Sequence, residues 1–233
     1  MNEHSHIVRS YDEEQAALMR ELLRMGEMSV AQLEAALDVV DRRDDKAAER
    51  VMANDDAIDA LEQQVSQDVI RLIRRGPMAT DLRIILAALR VASDIERIGD
   101  YAANIAKRSM ALNHSPPLPH TRGLDALGRL AARQLREVMR AYVERDGEAA
   151  LRVRERDAEL DTLYTGLFRE LLTYMMEDAR AITACTHLLF MAKNIERIGD
   201  HATNIAENVW YLVHGEELMA PRDKRDESNT TVV

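Results

Sequence analysis

The sequence predicts an all-α fold of two tandem three-helix bundles, six long helices in total, related by internal pseudo-twofold symmetry. Aromatic residues make up only 4% of the chain, and five prolines and nine glycines leave long stretches without a helix breaker. The abundant unbranched side chains lose little rotamer freedom in a helix. No stretch shows the apolar–polar alternation of a half-buried strand. The third observation, a repeat, sets the number of helices.

A fourteen-residue motif occurs twice, at an offset of 100 residues. Asp94-Ile-Glu-Arg-Ile-Gly-Asp-Tyr-Ala-Ala-Asn-Ile-Ala-Lys107 returns as Asn194-Ile-Glu-Arg-Ile-Gly-Asp-His-Ala-Thr-Asn-Ile-Ala-Glu207, and ten of the fourteen positions are identical. Farther upstream, residues 55–62 match residues 157–164 at an offset of 102. Self-similarity at a fixed period indicates that one supersecondary unit has been duplicated.

Each copy contains three segments with the apolar spacing of a helix. In the first copy, helix 1 is predicted over about residues 11–40, helix 2 begins near Asp45, and Gly76-Pro77 ends it. Helix 3 begins near Ala79 and carries its apolar residues at alternating spacings of four and three. Short connections between such helices favour antiparallel neighbours and therefore a three-helix bundle.

The chain divides into four segments on these patterns. Residues 1–112 form the first repeat and residues 124–214 the second. The Pro-rich residues 113–123 cannot continue a helix and are predicted to be a linker. Residues 215–233 are polar, lack periodicity and are predicted to be disordered.

Charge and hydropathy exclude two classes of partner. The formal net charge is −10 and arginines are scattered among acids, so a nucleic-acid-binding surface is not predicted. No apolar run approaches the roughly 18 residues that a membrane span requires. The N-terminus lacks the basic and apolar regions of a secretory signal, so we expect a cytoplasmic location.

Three oxygen-bearing side chains, Glu96, Asp100 and Asn104, follow one another at four-residue spacing on helix 3. On a helical wheel with Ile95 at zero, the apolar stripe lies near about −20° and these side chains lie between about 100° and 180°. We therefore expect a row of donors on the exterior, away from the bundle core. The same row recurs in the second copy as Glu196, Asp200 and Asn204.

Helix 2 carries further carboxylates on the flank of its apolar stripe, where they can face helix 3 across the groove between the two helices. They are Asp55 and Asp59 in the first copy and Asp157 and Asp161 in the second. Gly99 and Gly199 lie inside helix 3, where glycine costs about 1 kcal/mol relative to alanine. We therefore expect a neighbouring helix or partner to approach closely at these glycines.

Two interpretations of the acidic rows remain open. Carboxylate and amide oxygens without thiolates suit Mg²⁺, Mn²⁺ or iron better than a closed structural zinc site. Alternatively, arginines of the same helix neutralise a solvated acidic face, since Arg97 can reach Asp94 and Asp100, and Arg197 can reach Asp200. Neither a nucleophile with its base nor a Gly-rich phosphate loop is visible, so an enzyme is not predicted.

The doubled motif, each copy preceded by a helix with Asp-x-x-Ile/Leu-Asp, resembles the PhoU family of phosphate transport system regulatory proteins over roughly residues 8–214. The resemblance implies two three-helix bundles and frequently a homodimer. It also implies a cytoplasmic negative regulator that does not itself insert into the membrane. Its implied partners are the phosphate ABC transporter, through the ATPase subunit, and a membrane sensor histidine kinase.

The resemblance further implies clusters of iron or zinc, held on the bundle surface by Glu/Asp-x-x-x-Asp motifs. Carried over by position, the ligands are Glu96 with Asp100 and Glu196 with Asp200. The partners on helix 2 are Asp55, Asp59, Asp157 and Asp161, and Asn104 and Asn204 belong to the same motif. His201 replaces Tyr101 and Glu207 replaces Lys107, so the two sites differ in basicity.

The predicted function is an adaptor that restrains phosphate uptake and the phosphate-starvation response when phosphate is plentiful. Two alternatives remain open at this point. One is a metal-dependent hydrolase or oxidase that uses the carboxylate cluster. The other is a helical scaffold that binds no metal.

Overall fold

The computed structural model describes residues 3–76, 79–117, 121–219, 224 and 226. Six α-helices and a short 3₁₀ turn, Ala179–Ala181, account for the secondary structure of these residues, and no strand occurs among them. The helices are α1 (Glu3–Arg42), α2 (Asp45–Ile73), α3 (Ala79–Leu112), α4 (Thr121–Glu144), α5 (Gly147–Glu177) and α6 (Ile182–His214). The prediction of an all-α fold with six long helices is confirmed.

Several helix ends differ from the sequence prediction. α1 begins at Glu3 rather than near residue 11, because no helix-breaking residue precedes its apolar stripe. α2 ends at Ile73, three residues before Gly76, which takes the left-handed conformation at φ 71°. α4 begins at Thr121, inside the segment predicted as a linker. The segment predicted to be disordered lies largely outside the described residues.

The connections α1–α2 and α4–α5 are built alike in the two repeats. Arg43 and Arg145 take left-handed backbone conformations, with φ of 56° and 52°. Asp44 and Asp146 follow them and cap the next helix, each accepting a hydrogen bond from the backbone N–H three residues on, at 3.0 and 2.8 Å. An aspartate at this position satisfies one of the free donors of the first helical turn. The duplication therefore extends to the detail of the turns.

The helices of each repeat pack on one another, and the repeats also pack together through α3 with α6 and through α1 with α4. The contact between α3 and α6 is as extensive as contacts within a repeat. The buried apolar residues of all six helices form one continuous cluster. None of the described helices is long and apolar enough to cross a membrane.

α3 and α6 run antiparallel at the centre of the molecule. The guanidinium of Arg108, near the end of α3, lies 4.2 Å from the ring centroid of Phe190, near the start of α6. Asp94, fourteen residues before Arg108 on α3, contacts His201, which lies eleven residues after Phe190 on α6. Tyr101 and His201 occupy equivalent positions in the two repeats, and their ring centroids are 5.6 Å apart. Equivalent residues meet in this way only close to the pseudo-twofold axis.

The two helix-3 glycines permit close packing against the second helix of each repeat, as predicted. A Cβ atom at Gly199 would lie 2.5 Å from Leu160 Cδ2 and 3.1 Å from Asp157 Oδ1. A Cβ atom at Gly99 would lie 3.0 Å from Asp55 Oδ1. Glycine at these positions therefore brings the acids of α2 and α5 next to the backbone of α3 and α6.

We expect Gly199→Ala to lower the free energy of unfolding by about 1–2 kcal/mol, because displacing a buried leucine outweighs the gain in helix propensity. Gly166→Ala is the matched control, since Gly166 lies exposed within α5 and its added Cβ would have no neighbour within 4 Å. The control should raise stability by about 0.5–1 kcal/mol. Urea denaturation followed by circular dichroism measures both, and equal effects of the two variants would contradict close packing at Gly199.

Candidate functional site: two acidic grooves

The first site, groove 1, lies between α2 and α3 and contains Asp55, Asp59, Glu96 and Asp100. The α2 acids face the α3 row as predicted: a Cβ atom at Gly99 of α3 would lie 3.0 Å from Asp55 Oδ1. The charge of Asp100 adds to the effect of burial in raising the pKa of the other three carboxyls. Gln32 of α1 closes one end of the groove: its Nε2 donates to Asp55 Oδ1 at 2.8 Å and to the Gly99 carbonyl at 3.2 Å.

Burial and mutual repulsion disfavour the ionised form of the carboxyl groups in groove 1. Burial, followed by the charge of Asp100, raises the pKa of Asp59 and of Glu96. Burial also raises the pKa of Asp55, although the hydrogen bond from Gln32 opposes it. Asp59 Oδ1 is shielded from solvent and has no hydrogen-bond partner among the residues that the structure describes.

The arginine predicted to neutralise the first acidic row, Arg97, contacts groove 1. Its Nη1 lies 3.0 Å from Asp100 Oδ2 and its Nε lies 3.5 Å from Glu96 Oε2. The Arg97 side chain is 55% exposed, so solvent screens both ion pairs. The arginine therefore offsets only a part of the repulsion among the carboxylates.

The second site, groove 2, lies between α5 and α6 and contains Asp157, Asp161, Glu196 and Asp200. The prediction that this row faces the exterior is wrong for Glu196, which is 4% exposed, and the two α5 acids are buried as well, at 1% and 2%. The wheel gives the direction of a side chain around its own helix, but it does not show what covers that side chain.

Lys193 supplies the positive charge of groove 2. Its Nζ lies 2.9 Å from Glu196 Oε2 and 5.1 Å from the ring centroid of Tyr164. Burial alone lowers the pKa of Lys193, but hydrogen bonds to Glu196 and Asp226 outweigh it and the net change is a raised pKa. Burial also raises the pKa of Glu196 against the hydrogen bond from Lys193. Ser93 stands at the equivalent position in the first repeat.

The sequence interpretation missed Lys193, although a signal existed. The residue directly before the repeated motif is Ser93 in one copy and Lys193 in the other. Tyr164 likewise replaces Glu62 at the end of the matched α2 and α5 segments. The first exchange adds positive charge to groove 2 and the second removes negative charge from it. A comparison of the positions at which the two copies differ reveals both exchanges.

The two asparagines of the predicted rows are exposed rather than buried with the carboxylates. Asn204 Nδ2 donates to Asp94 Oδ1 at 3.2 Å, and His201 Nδ1 lies 2.8 Å from the same oxygen. Asn204 and His201 therefore join the two repeats. Asn104, on the equivalent turn of α3, is exposed to solvent.

The donor chemistry of groove 1 fits a hard cation, because four carboxylates face one another and one oxygen, on Asp59, lacks a partner among the described residues. Throughout the described ranges, however, no group of three or more His, Cys, Asp or Glu side chains is arranged to hold a metal ion. A bound cation would therefore require these carboxylates to rotate towards one another. In groove 2 the ammonium of Lys193 lies 2.9 Å from Glu196 Oε2, so an added cation would compete with that ion pair.

Fold and grooves together define a duplicated helical-bundle protein with one acid-lined groove in each repeat. The sequence matches the PhoU domain over residues 22–109 and again over residues 124–209. The chain belongs to the PhoU domain family.

Relatives share this organisation over nearly the whole chain. A phosphate-specific transport system accessory protein PhoU homolog of Xylella fastidiosa (strain 9a5c) is 65% identical over 224 residues, covering 96% of this chain and 95% of that protein. The homolog of Rhizobium meliloti (strain 1021) is 45% identical and covers 97% of both chains. The crystal structure of PhoU from Pseudomonas aeruginosa superposes with a TM-score of 0.86 at 34% identity, covering 88% of this chain and 100% of that one.

We expect Asp59→Asn to raise the thermal midpoint at pH 7 by about 2 °C. The folded-state pKa of Asp59 lies above its unfolded value, so its ionisation costs stability as the pH rises through that folded-state pKa. The gain should vanish below about pH 4, where the unfolded aspartate is protonated too. Calorimetry from pH 3 to 8 measures it, with Glu49→Gln, an exposed site on the same helix, as the control. A gain that is equal at pH 3.5 and pH 7 would contradict the proposed cause.

Proposed function

We propose that this chain regulates phosphate transport as a negative regulator of phosphate uptake and of the phosphate-starvation response. The observation that carries the proposal is the 65% identity, over 96% of the chain, to a protein named as a phosphate-specific transport system accessory protein. A second relative of known structure is titled the phosphate transport system regulatory protein PhoU from Streptococcus pneumoniae, with a TM-score of 0.83 at 26% identity, covering 90% of this chain and 100% of that one.

The proposed mechanism is that of an adaptor between the phosphate ABC transporter and its sensor histidine kinase. The continuous core makes the two repeats one body, and that body presents two grooves of unlike charge. Groove 1 lacks an internal lysine, whereas groove 2 contains Lys193. Two unlike surfaces on one body support the simultaneous binding of two different partners, one by each repeat.

Groove 1 is also the proposed metal site of the protein, with Asp55, Asp59, Glu96 and Asp100 as ligands. A divalent cation there would offset the loss of solvent and the smaller mutual repulsion that raise the pKa of three of these carboxyls. The donor set suits Mg²⁺, Mn²⁺ or iron, and zinc is the further candidate. The role of the cation would be to join α2 to α3 and to change the charge that groove 1 presents to a partner.

We expect deletion of the gene to cause constitutive expression of phosphate-starvation genes in phosphate-rich medium, because the adaptor no longer holds the kinase inactive. A starvation-promoter reporter measures this effect. Complementation with the wild-type gene should restore repression, and complementation with Gly166→Ala should do the same. Normal repression in the deletion strain would contradict the proposed function.

We expect protein purified without an affinity tag to bind Mn²⁺ in groove 1 and to lose at least tenfold in affinity on Asp59→Asn or Glu96→Gln, since each variant removes one charged ligand. Isothermal titration and elemental analysis measure the binding. Glu49→Gln removes the same charge from an exposed site on α2 and should leave the affinity unchanged. Equal affinities of all variants, or no bound metal, would favour the metal-free scaffold.

A further inference from the structure

The C-terminal segment, of which residues 216–219, Lys224 and Asp226 are described, contacts groove 2 at two points. Asp226 Oδ2 lies 2.9 Å from Lys193 Nζ, and its side chain is 8% exposed. Lys224 Nζ lies 3.3 Å from Asp200 Oδ1. A carboxylate buried to this degree requires a charged partner, since an unpaired buried charge is strongly disfavoured. Lys193 therefore binds the C-terminal segment through Asp226.

The charges of the segment are in register with those of α6. Lys193 and Asp200 are separated by seven residues, which is about 10.5 Å along a helix. Lys224 and Asp226 lie two positions apart in sequence, which spans at most about 7 Å, and the long lysine side chains supply the remainder. An acid thus lies opposite Lys193 and a lysine opposite Asp200, whereas the reverse order would place like charges together.

Groove 1 cannot bind such a segment in the same way. Ser93 replaces Lys193 there, and the adjacent charged groups include Glu62 in place of Tyr164. An acidic side chain entering groove 1 would meet carboxylates without a lysine to bind it. Recognition of a lysine followed two residues later by an acid therefore depends on Lys193, which groove 1 lacks.

We propose that groove 2 is a docking site for a short chain segment of the pattern Lys-x-Asp, and that the protein's own Lys224 and Asp226 occupy it as an internal ligand. In the context of the proposed adaptor function, a partner segment with the same charge pattern binds groove 2 only by displacing the C-terminal segment. Lys193 is the positioning residue of this contact, because it binds Glu196 of the groove and Asp226 of the segment at once.

Hydrogen–deuterium exchange of the full chain tests the docking. Lys193→Met should speed amide exchange in residues 216–226 about tenfold, since it removes the charge-assisted hydrogen bond to Asp226 and leaves the carboxylate of Glu196 without its ion pair. Lys107→Met removes an exposed lysine from α3 and should leave exchange in that segment unchanged. Lys224→Gln, which alters only the outer ion pair, should speed exchange about threefold and guards against a folding defect in Lys193→Met.

Competition by a synthetic peptide of residues 219–230 tests the recognition. Added in excess to the full chain, it should speed exchange in the chain's own C-terminal segment, while the same peptide with Lys224→Ala and Asp226→Ala should not. The proposal is overturned if Lys193→Met matches Lys107→Met, or if both peptides act alike. Such a failure leaves the regulatory role intact, because the reporter experiment on the deletion strain tests that role without reference to the C-terminal segment.

Discussion

The close approach of helices at Gly99 and Gly199 is the constraint on which the chemistry of both grooves depends. Without a Cβ at these positions, α3 and α6 bring backbone against the acids of α2 and α5, and at Gly199 even an added methyl group would overlap a buried leucine. Carboxylates held this close to a helix backbone lose solvent, and loss of solvent favours their neutral form. Packing of the bundles thus produces the raised pKa values of groove 1.

The two repeats offset the same buried acidity in different ways. Groove 1 relies on Gln32 and on the exposed Arg97, and an exposed ion pair contributes little net stability. Groove 2 relies on the half-buried Lys193, and removing one member of a buried pair leaves the other charge uncompensated. A duplicated scaffold has therefore yielded one groove whose acids are only partly offset and another that contains its own ammonium group.

The fold was predictable because its two determinants are local and repeated. Helical spacing of apolar residues gives the six helices, and the offsets of 102 and 100 residues match the acids of α2 with those of α5 and the acids of α3 with those of α6. The burial of Glu196 was not predictable, because it depends on how other parts of the chain pack over α6, and its ion-pair partner Lys193 also binds Asp226, thirty residues away in sequence. The contact of Asp94 with His201 was missed for a related reason. It depends on how one repeat lies against the other, and no pattern within a single helix encodes that placement.

The repeated motif serves three faces of one helix at once. Its isoleucines enter the core, its Glu and Asp line the groove, and the position after Asp, Tyr101 or His201, lies near the pseudo-twofold axis. Tyr101 and His201 are different rings at equivalent positions near the pseudo-twofold axis. Of the two, the histidine contacts Asp94 across the interface between the repeats. Groove residues and axis residues are neighbours on the same turn of a packed helix, so a rotation of α3 that moves Asp100 also moves Tyr101. The motif therefore places the interface between the repeats one residue along the helix from the groove in each copy.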